Sequence, residues 1–194
     1  MRIEEHLLMG EKVRQIHCAK CSRLLEMADT LVLHSTDGAN AMSSAQYLAR
    51  PDTSVSAHIV IGRTGQVIQL LPFNVQAWHA GVSEWDGRPG VNDFSIGIEL
   101  DNAGRLHRRK GRFYSWFNKE YMPDMVFTTV ENGHAAYYHT YTREQLDCLV
   151  EICLLLKARY PIRWLVRHSD ISVRKVDPGP AFPFEEMKKR VVLD

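Results

Sequence analysis

Two histidines and an aspartate, far apart in the sequence, have the types and settings to hold a divalent metal. His34 closes the apolar run Thr30–His34 and is followed by the small polar residues Ser35-Thr36-Asp37-Gly38. His168 stands likewise just beyond the run Ile162–Val166, in Arg167-His168-Ser169-Asp170. Asp177 follows within Lys175-Val176-Asp177-Pro178-Gly179-Pro180, where the prolines stiffen the chain about the carboxylate. In α/β folds the ends of strands are where sites are built. Two imidazoles and one carboxylate make a three-ligand zinc set whose fourth position stays open to water, the arrangement of catalytic rather than structural zinc. The sequence has no compact HExxH motif. Spacing alone therefore leaves open that these are ordinary structural or surface groups.

Glu99 lies in the apolar run Ile96-Gly97-Ile98-Glu99-Leu100. Burying a carboxylate there is costly unless it is paired or functional. Either strand alternation turns Glu99 to solvent, or it serves as a general base beside the metal. Lys175 has the same two readings. It is a surface cation next to Arg174, or the cation that stabilises the oxyanion of a tetrahedral intermediate.

Such groups need a sheet to hold them. Thr30–His34, Phe94–Leu100 and Ile162–Val166 read as strands, the last delivering His168 to a loop. Ser56–Ile61 and Gln66–Leu70 flank Arg63-Thr64-Gly65, a hairpin signature. Ser43–Arg50 suits a short helix capped by Ser43 or Ser44, with Pro51 beyond its end. Thr142 opens the clearest helix: Thr142 and Gln145 form a capping box, and Leu146, Leu149, Val150, Cys153 and Leu154 follow at helical spacing up to Pro161. Phe184–Val191 is expected to be a terminal helix. Residues 1–28 are expected to be an N-terminal extension, mostly helical or irregular, and 101–141 a hairpin with an irregular excursion. Strands alternating with helices, plus one hairpin, predict an α/β fold: a single domain over 1–194 with a mixed central sheet flanked by helices.

The composition allows this. A chain of 194 residues, 45% hydrophobic and 24% charged, has material for one domain with a real core and is not a largely disordered chain. Its net charge of +1 supplies no global field toward nucleic acid or membrane, so neither is expected as a partner, and no obligate protein partner is expected either. The longest nearly continuous apolar run, Cys148–Leu156, is broken by Glu151 and falls far short of the ~20 residues of a membrane span. The opening MRIEEHLLMGEKVRQ has early glutamates and no apolar core of a signal peptide, which predicts a cytoplasmic protein. Cys18 and Cys21 make half a zinc knuckle with no second CxxC, and read as ordinary thiols on a helix. Cys148 and Cys153 read as buried thiols. The basic run Arg105–Arg112 reads as a solvated hairpin tip, and His134 and His139 as non-ligands.

Longer motifs sharpen the reading. Trp78-His79-Ala80-Gly81-Val82-Ser83, Asn92-Asp93-Phe94-Ser95-Ile96-Gly97-Ile98-Glu99-Leu100, His168-Ser169-Asp170-Ile171 and Arg174-Lys175-Val176-Asp177-Pro178-Gly179-Pro180-Ala181-Phe182 closely resemble the zinc-dependent N-acetylmuramoyl-L-alanine amidases of the type 2 family. The nearest branch is the cytosolic 1,6-anhydro-N-acetylmuramyl-L-alanine amidases that recycle cell-wall fragments. Phage amidases and animal peptidoglycan recognition proteins are more distant. The resemblance covers residues 30–100 and 141–190.

It implies that His34, His168 and Asp177 bind Zn²⁺, that Glu99 activates water and that Lys175 supports the transition state. It further implies that Trp78 and His79 lie near the cleft, and that Arg63 and Asn92 contact substrate carboxylates or sugar oxygens. The expected reaction is hydrolysis of the amide between N-acetylmuramic acid, or its 1,6-anhydro form, and L-alanine of the stem peptide. The expected partner is thus a muropeptide or peptidoglycan. The alternatives are a phage or prophage endolysin with the same chemistry on intact wall, and a non-catalytic peptidoglycan-binding module. Three departures stand out: a longer segment Asp101–Tyr141, a His168–Asp177 interval one residue shorter than in the nearest branch, and Ser35 where that branch often has asparagine.

Overall fold

The first 28 residues, expected to be helical or irregular, form three short strands in a computed structural model that describes residues 1–191. β1 (Arg2–Glu4) and β2 (Leu7–Met9) pair antiparallel around Glu5-His6. Both turn residues have positive φ, 45° and 68°, as a type I′ turn requires. The usual Asn or Gly is missing, so Glu5-His6 carries no hairpin cue. β3 (Val13–Gln15) runs parallel to a strand of the main sheet and forms its edge. The N-terminal segment is therefore built into the sheet.

β4 (Thr30–Ser35) follows, and then α1 (Ala41–Ala49). The cap of α1 is Asn40, whose Oδ1 accepts from the Ser43 N–H at 2.9 Å, rather than Ser43 or Ser44. The Ser43 hydroxyl donates back to the Asn40 carbonyl instead. β5 (Ile59–Ile61) and β6 (Val67–Gln69) form the expected hairpin, with Gly65 at φ +75°. β7 (Glu84–Trp85) and β8 (Arg88–Pro89) make a small hairpin anchored where Arg88 grips the buried Asp29 through two hydrogen bonds. β9 (Ser95–Leu100) matches its expected strand.

Residues 101–141 are more ordered than expected. β10 (Arg105–Arg109), β11 (Arg112–Tyr114), β12 (Glu120–Tyr121), β13 (Val126–Glu131) and β14 (His134–His139) make a second, antiparallel sheet in the order β12-β11-β10-β14-β13. It has its own small core of Ala103, Leu106 and Tyr121. The basic run forms the β10–β11 hairpin, with its charged side chains in solvent.

α2 (Arg143–Arg159) begins as expected at Thr142, whose Oγ1 accepts from the Gln145 N–H. The reciprocal half of the capping box does not form. Gln145 instead spends its side-chain N–H groups on the carbonyls of Ile61 and Asp101, stitching the helix to two other segments. β15 (Trp164–Arg167) leads into a single helical turn, α3 (His168–Ile171), so His168 opens a helix rather than a loop. α4 (Phe184–Val191) closes the described chain.

The main sheet has the order β15-β4-β9-β5-β6-β3 and is parallel except at the β5–β6 hairpin. Side chains alternate across its plane. Leu31, Leu33, Ile96, Ile98 and Ile59 join one core with Leu149, Ile152 and Leu156 of α2 and Met187 of α4. Full burial of each such side chain contributes about 2 kcal/mol. Val32, His34, Gly97 and Glu99 have the opposite parity, so His34 and Glu99 lie on the face that α2 does not cover. No described helix is long and apolar enough to cross a membrane.

Candidate metal centre

The strand pairings bring the three candidate ligands together. His34 sits near the end of β4, buried at 2% exposure. His168 is the first residue after β15, the neighbour of β4, and is 4% exposed. The Asp170 carboxylate accepts from the Arg167 N–H at 2.8 Å and fixes that turn. The Asp177 loop folds back over α3 through a bond from the Ser169 N–H to the Asp177 carbonyl. Tyr141, at the end of the second sheet, holds the loop from the other side by donating to the Pro178 carbonyl at 2.7 Å.

The result is a tight triangle. Nδ1 of His34 lies 2.9 Å from Nδ1 of His168 and 3.2 Å from Oδ2 of Asp177, and His168 Nδ1 lies 2.9 Å from the same oxygen. Zinc bonds of about 2 Å place tetrahedral ligands roughly 3.3 Å apart, so two nitrogens and an oxygen at these separations fit such an ion. Among the described residues this is the one group of three or more such side chains that could hold a metal.

Glu99 stands beside His34 as its register partner. Its Oε2 is buried without a hydrogen-bond partner among the described residues. Burial, with help from Asp177 and Asp37, pushes the carboxyl up to about 8, while Lys175 pulls it down. Lys175 is exposed and lines the same cleft. The cleft holds about 630 Å³.

The other expected site residues are placed unevenly. His79 lines the cleft floor but is 8% exposed and has both ring nitrogens engaged inside the protein. Burial foremost, then the neighbouring His34, holds its imidazole well below the ordinary range. Asn92 uses its Oδ1 to accept from the N–H groups of His79 and Ala80 and so shapes their loop. Trp78 is 37% exposed and its main chain is tied to Ser56, outside the cleft lining. Arg63 is also outside it, donating to the Thr140 carbonyl at 2.8 Å.

The cleft has walls that the sequence reading missed. Trp116, 65% exposed, reaches in from the second sheet with its Nε1–H on the Asp37 carbonyl at 2.7 Å. Tyr47 of α1 is half-exposed in the same cleft. Asp37 has φ +45° and a carboxyl raised by burial. Asp37 lay in a Ser-Thr-Asp-Gly stretch that reads only as a turn. Trp116 lay in the illegible excursion.

Cys18 and Cys21 are in an irregular segment, not on a helix, and pack with α1; the Cys18 thiol donates to the Leu48 carbonyl. Cys148 and Cys153 are buried on α2, as expected, their thiols pushed up by burial to about 11 and about 12. His139 accepts from the Ala103 N–H and His134 is exposed, and neither belongs to the ligand cluster.

The sequence profile of one family, described as N-acetylmuramoyl-L-alanine amidase (Amidase_2), matches residues 25–180. The chain belongs to this amidase family. The 1,6-anhydro-N-acetylmuramyl-L-alanine amidase AmpD of Escherichia coli K12 is 35% identical over 135 residues, which are 69% of this chain and 57% of that relative. The match thus spans little more than half the length of the curated amidase. The crystal structure of a selenomethionine derivative of AmpD superposes with a TM-score of 0.67 at 26% identity, over 99% of this chain and all of the other. AmiD of E. coli, in complex with anhydro-N-acetylmuramic acid-L-Ala-D-gamma-Glu-L-Lys, superposes with a TM-score of 0.65 at 28% identity, over 91% of this chain and 61% of AmiD. The expected family and the α/β fold with a mixed sheet both hold.

Proposed function

We propose that this amidase-family chain is a zinc-dependent N-acetylmuramoyl-L-alanine amidase acting on muropeptides, with His34, His168 and Asp177 as its metal ligands. The observation that carries the reading is the convergence of those three ligand atoms next to the half-buried Glu99, whose Oε2 is buried without a partner among the described residues. The ligand bound to AmiD, a muramyl peptide, supports the substrate class. The name of the AmpD relatives, 1,6-anhydro-N-acetylmuramyl-L-alanine amidase, supports the 1,6-anhydro form as substrate, and with it we propose a role in cell-wall recycling in the cytoplasm.

Zinc, when bound, supplies a Lewis acid for the amide carbonyl and makes a water nucleophilic near neutral pH. Glu99 takes the proton of the attacking water. Its carboxyl, lifted to about 8 by burial and drawn down by Lys175, sits in the range where a carboxylate can accept a proton and return it. The returned proton goes to the nitrogen of the leaving L-alanine, so that it departs as an amine. Lys175 places a positive charge at the cleft, where the carbonyl oxygen gains negative charge. Trp116 and Tyr47 offer exposed aromatic faces to the sugar or the peptide.

The test is Glu99→Gln. This variant keeps zinc at full stoichiometry and loses about 10²–10⁴ in turnover of a soluble muramyl peptide. Full activity in Glu99→Gln removes that residue from the mechanism. A metal-free wild type that still binds muropeptide supports the binding-module alternative. Soluble anhydromuropeptide and intact sacculi, assayed side by side, separate a recycling enzyme from an endolysin.

A further inference from the structure

We infer that His79 is a positioning residue that dictates which nitrogen of His34 faces the metal, through a one-way hydrogen-bond chain anchored on the main chain at Val91. The inference rests on the trio His34, His168 and Asp177 being the metal centre, but not on the reaction catalysed there.

The direction of the chain follows from its far end. The Val91 carbonyl can only accept, so the Ser95 hydroxyl, 2.6 Å away, donates its proton there. Ser95 Oγ must then accept at its 3.2 Å contact with His79 Nε2. A neutral imidazole has one N–H. With that proton on Nε2, the Nδ1 of His79 is a bare lone pair, and it accepts from Nε2–H of His34 at 3.0 Å. His34 in turn presents a bare Nδ1 to the triangle. His168 reaches the same state in one step, since its Nε2 contacts the Ala80 carbonyl, an acceptor, at 3.3 Å. Two bare Nδ1 atoms 2.9 Å apart, beside a carboxylate, repel one another unless a cation lies among them. The chain thus holds the site in its metal-ready tautomers.

The packing around His79 leaves the ring little freedom. A Cβ on Gly97 would come within 2.4 Å of the ring's Cγ, so only glycine lets the ring lie against β9. His58, whose centroid is 6.0 Å from that of His79, donates to the Val75 carbonyl and accepts from the Gly97 N–H, which pins β9 at this point. Both ring nitrogens of His79 are spent inside the protein, so the cleft role expected from the sequence gives way to a supporting one. Partners of this kind around a metal-ligating histidine are worth about 10–100-fold in metal affinity.

Two measurements test this without any turnover assay. Long-range proton–nitrogen correlation on the wild type assigns the imidazole tautomers. The expected result is a proton on Nε2 of both His34 and His79, in the metal-free and the zinc-loaded protein; a proton on Nδ1 of either in the metal-free protein overturns the chain. Zinc affinity, measured by chelator competition, is expected to fall about 10–100-fold in His79→Phe and to recover largely in His79→Gln, whose amide oxygen can accept from His34. Ser95→Ala cuts only the last link; it is expected to leave the fold intact, to weaken zinc several-fold and to mix the His79 tautomers. Wild-type affinity in a folded His79→Phe, or an unmixed His79 tautomer with unchanged affinity in Ser95→Ala, overturns the proposal. A wild type that binds no zinc at all refutes the metal centre itself, while the tautomer assignment still tests the chain.

Discussion

His34 and Glu99 are register partners on the parallel strands β4 and β9, side by side on one face of the sheet. Partners in a ladder are about 4.8 Å apart along the hydrogen-bonding direction. The sheet itself therefore sets the distance between the proposed metal ligand and the proposed proton acceptor, with no loop involved. The pairing has consequences for stability as well as chemistry.

In the metal-free protein, Glu99 costs stability. Its carboxyl rises from an ordinary 4.5 to about 8 on folding, so the folded state holds a proton that the unfolded state has lost. That contribution is fully present below pH 4.5 and is lost as pH rises through 8. Between pH 4.5 and 7 the loss is about 3 kcal/mol. His58 and His139, pushed down mainly by burial to about 4 and about 3, act in the opposite sense below pH 6.5. Comparison with Glu99→Gln cancels them. Denaturant unfolding of the metal-free proteins should find the variant more stable than wild type at pH 7, with the gap closing near pH 4.

Gly97→Ala should disturb the metal centre without touching a ligand. The added methyl meets the His79 ring, which must shift and take its bond to His34 with it. We expect a stability loss of about 1–3 kcal/mol and weaker zinc binding. Wild-type zinc affinity in a folded Gly97→Ala would show that the His79 ring can move freely.

Metal should stabilise the fold through Asp177. At free zinc 100-fold above the dissociation constant, one site adds about 2.7 kcal/mol. A chelator should lower the unfolding midpoint of the wild type and abolish its activity, and added zinc should restore both. Asp177→Ala should show no zinc-dependent stabilisation at the same concentrations.

Trp116 and Arg63 make a contrasting pair. Trp116→Ala removes an exposed ring from the cleft, so it should raise KM for a muramyl peptide and leave the unfolding midpoint nearly unchanged. Arg63→Ala removes a donor from the Thr140 carbonyl outside the cleft, so it should cost on the order of 1 kcal/mol of stability and leave KM alone. The opposite pattern would return Arg63 to the substrate site.

The parts of the molecule legible in the sequence were those where burial writes a pattern. Thr30–His34 and Ile96–Leu100 are central strands buried on both faces, and their apolar runs announce them. α2 shows helical spacing because one face packs on the sheet. The candidate trio could be picked out because His34 closes one such run and His168 stands just beyond another. The N-terminal hairpin was hidden by a turn of Glu5-His6 that lacks the usual residues. The second sheet was hidden because its strands bury little, as in β13, where most side chains are exposed or half-buried. Trp116 could not be assigned to the cleft without that sheet. The motif around His79 marks it as a cleft residue and is silent on Ser95 and His34, which only the fold brings against its ring nitrogens.

The three candidate ligands lie at positions 34, 168 and 177, so an ion held by them would tie β4 to α3 and to the loop that follows it. During synthesis the trio cannot assemble until Asp177, far downstream of His34, has left the ribosome. Metal capture at this trio would then follow the folding of α2 and could not nucleate it, and a product truncated after α2 would carry a finished hydrophobic helix but only one of the three candidate ligands.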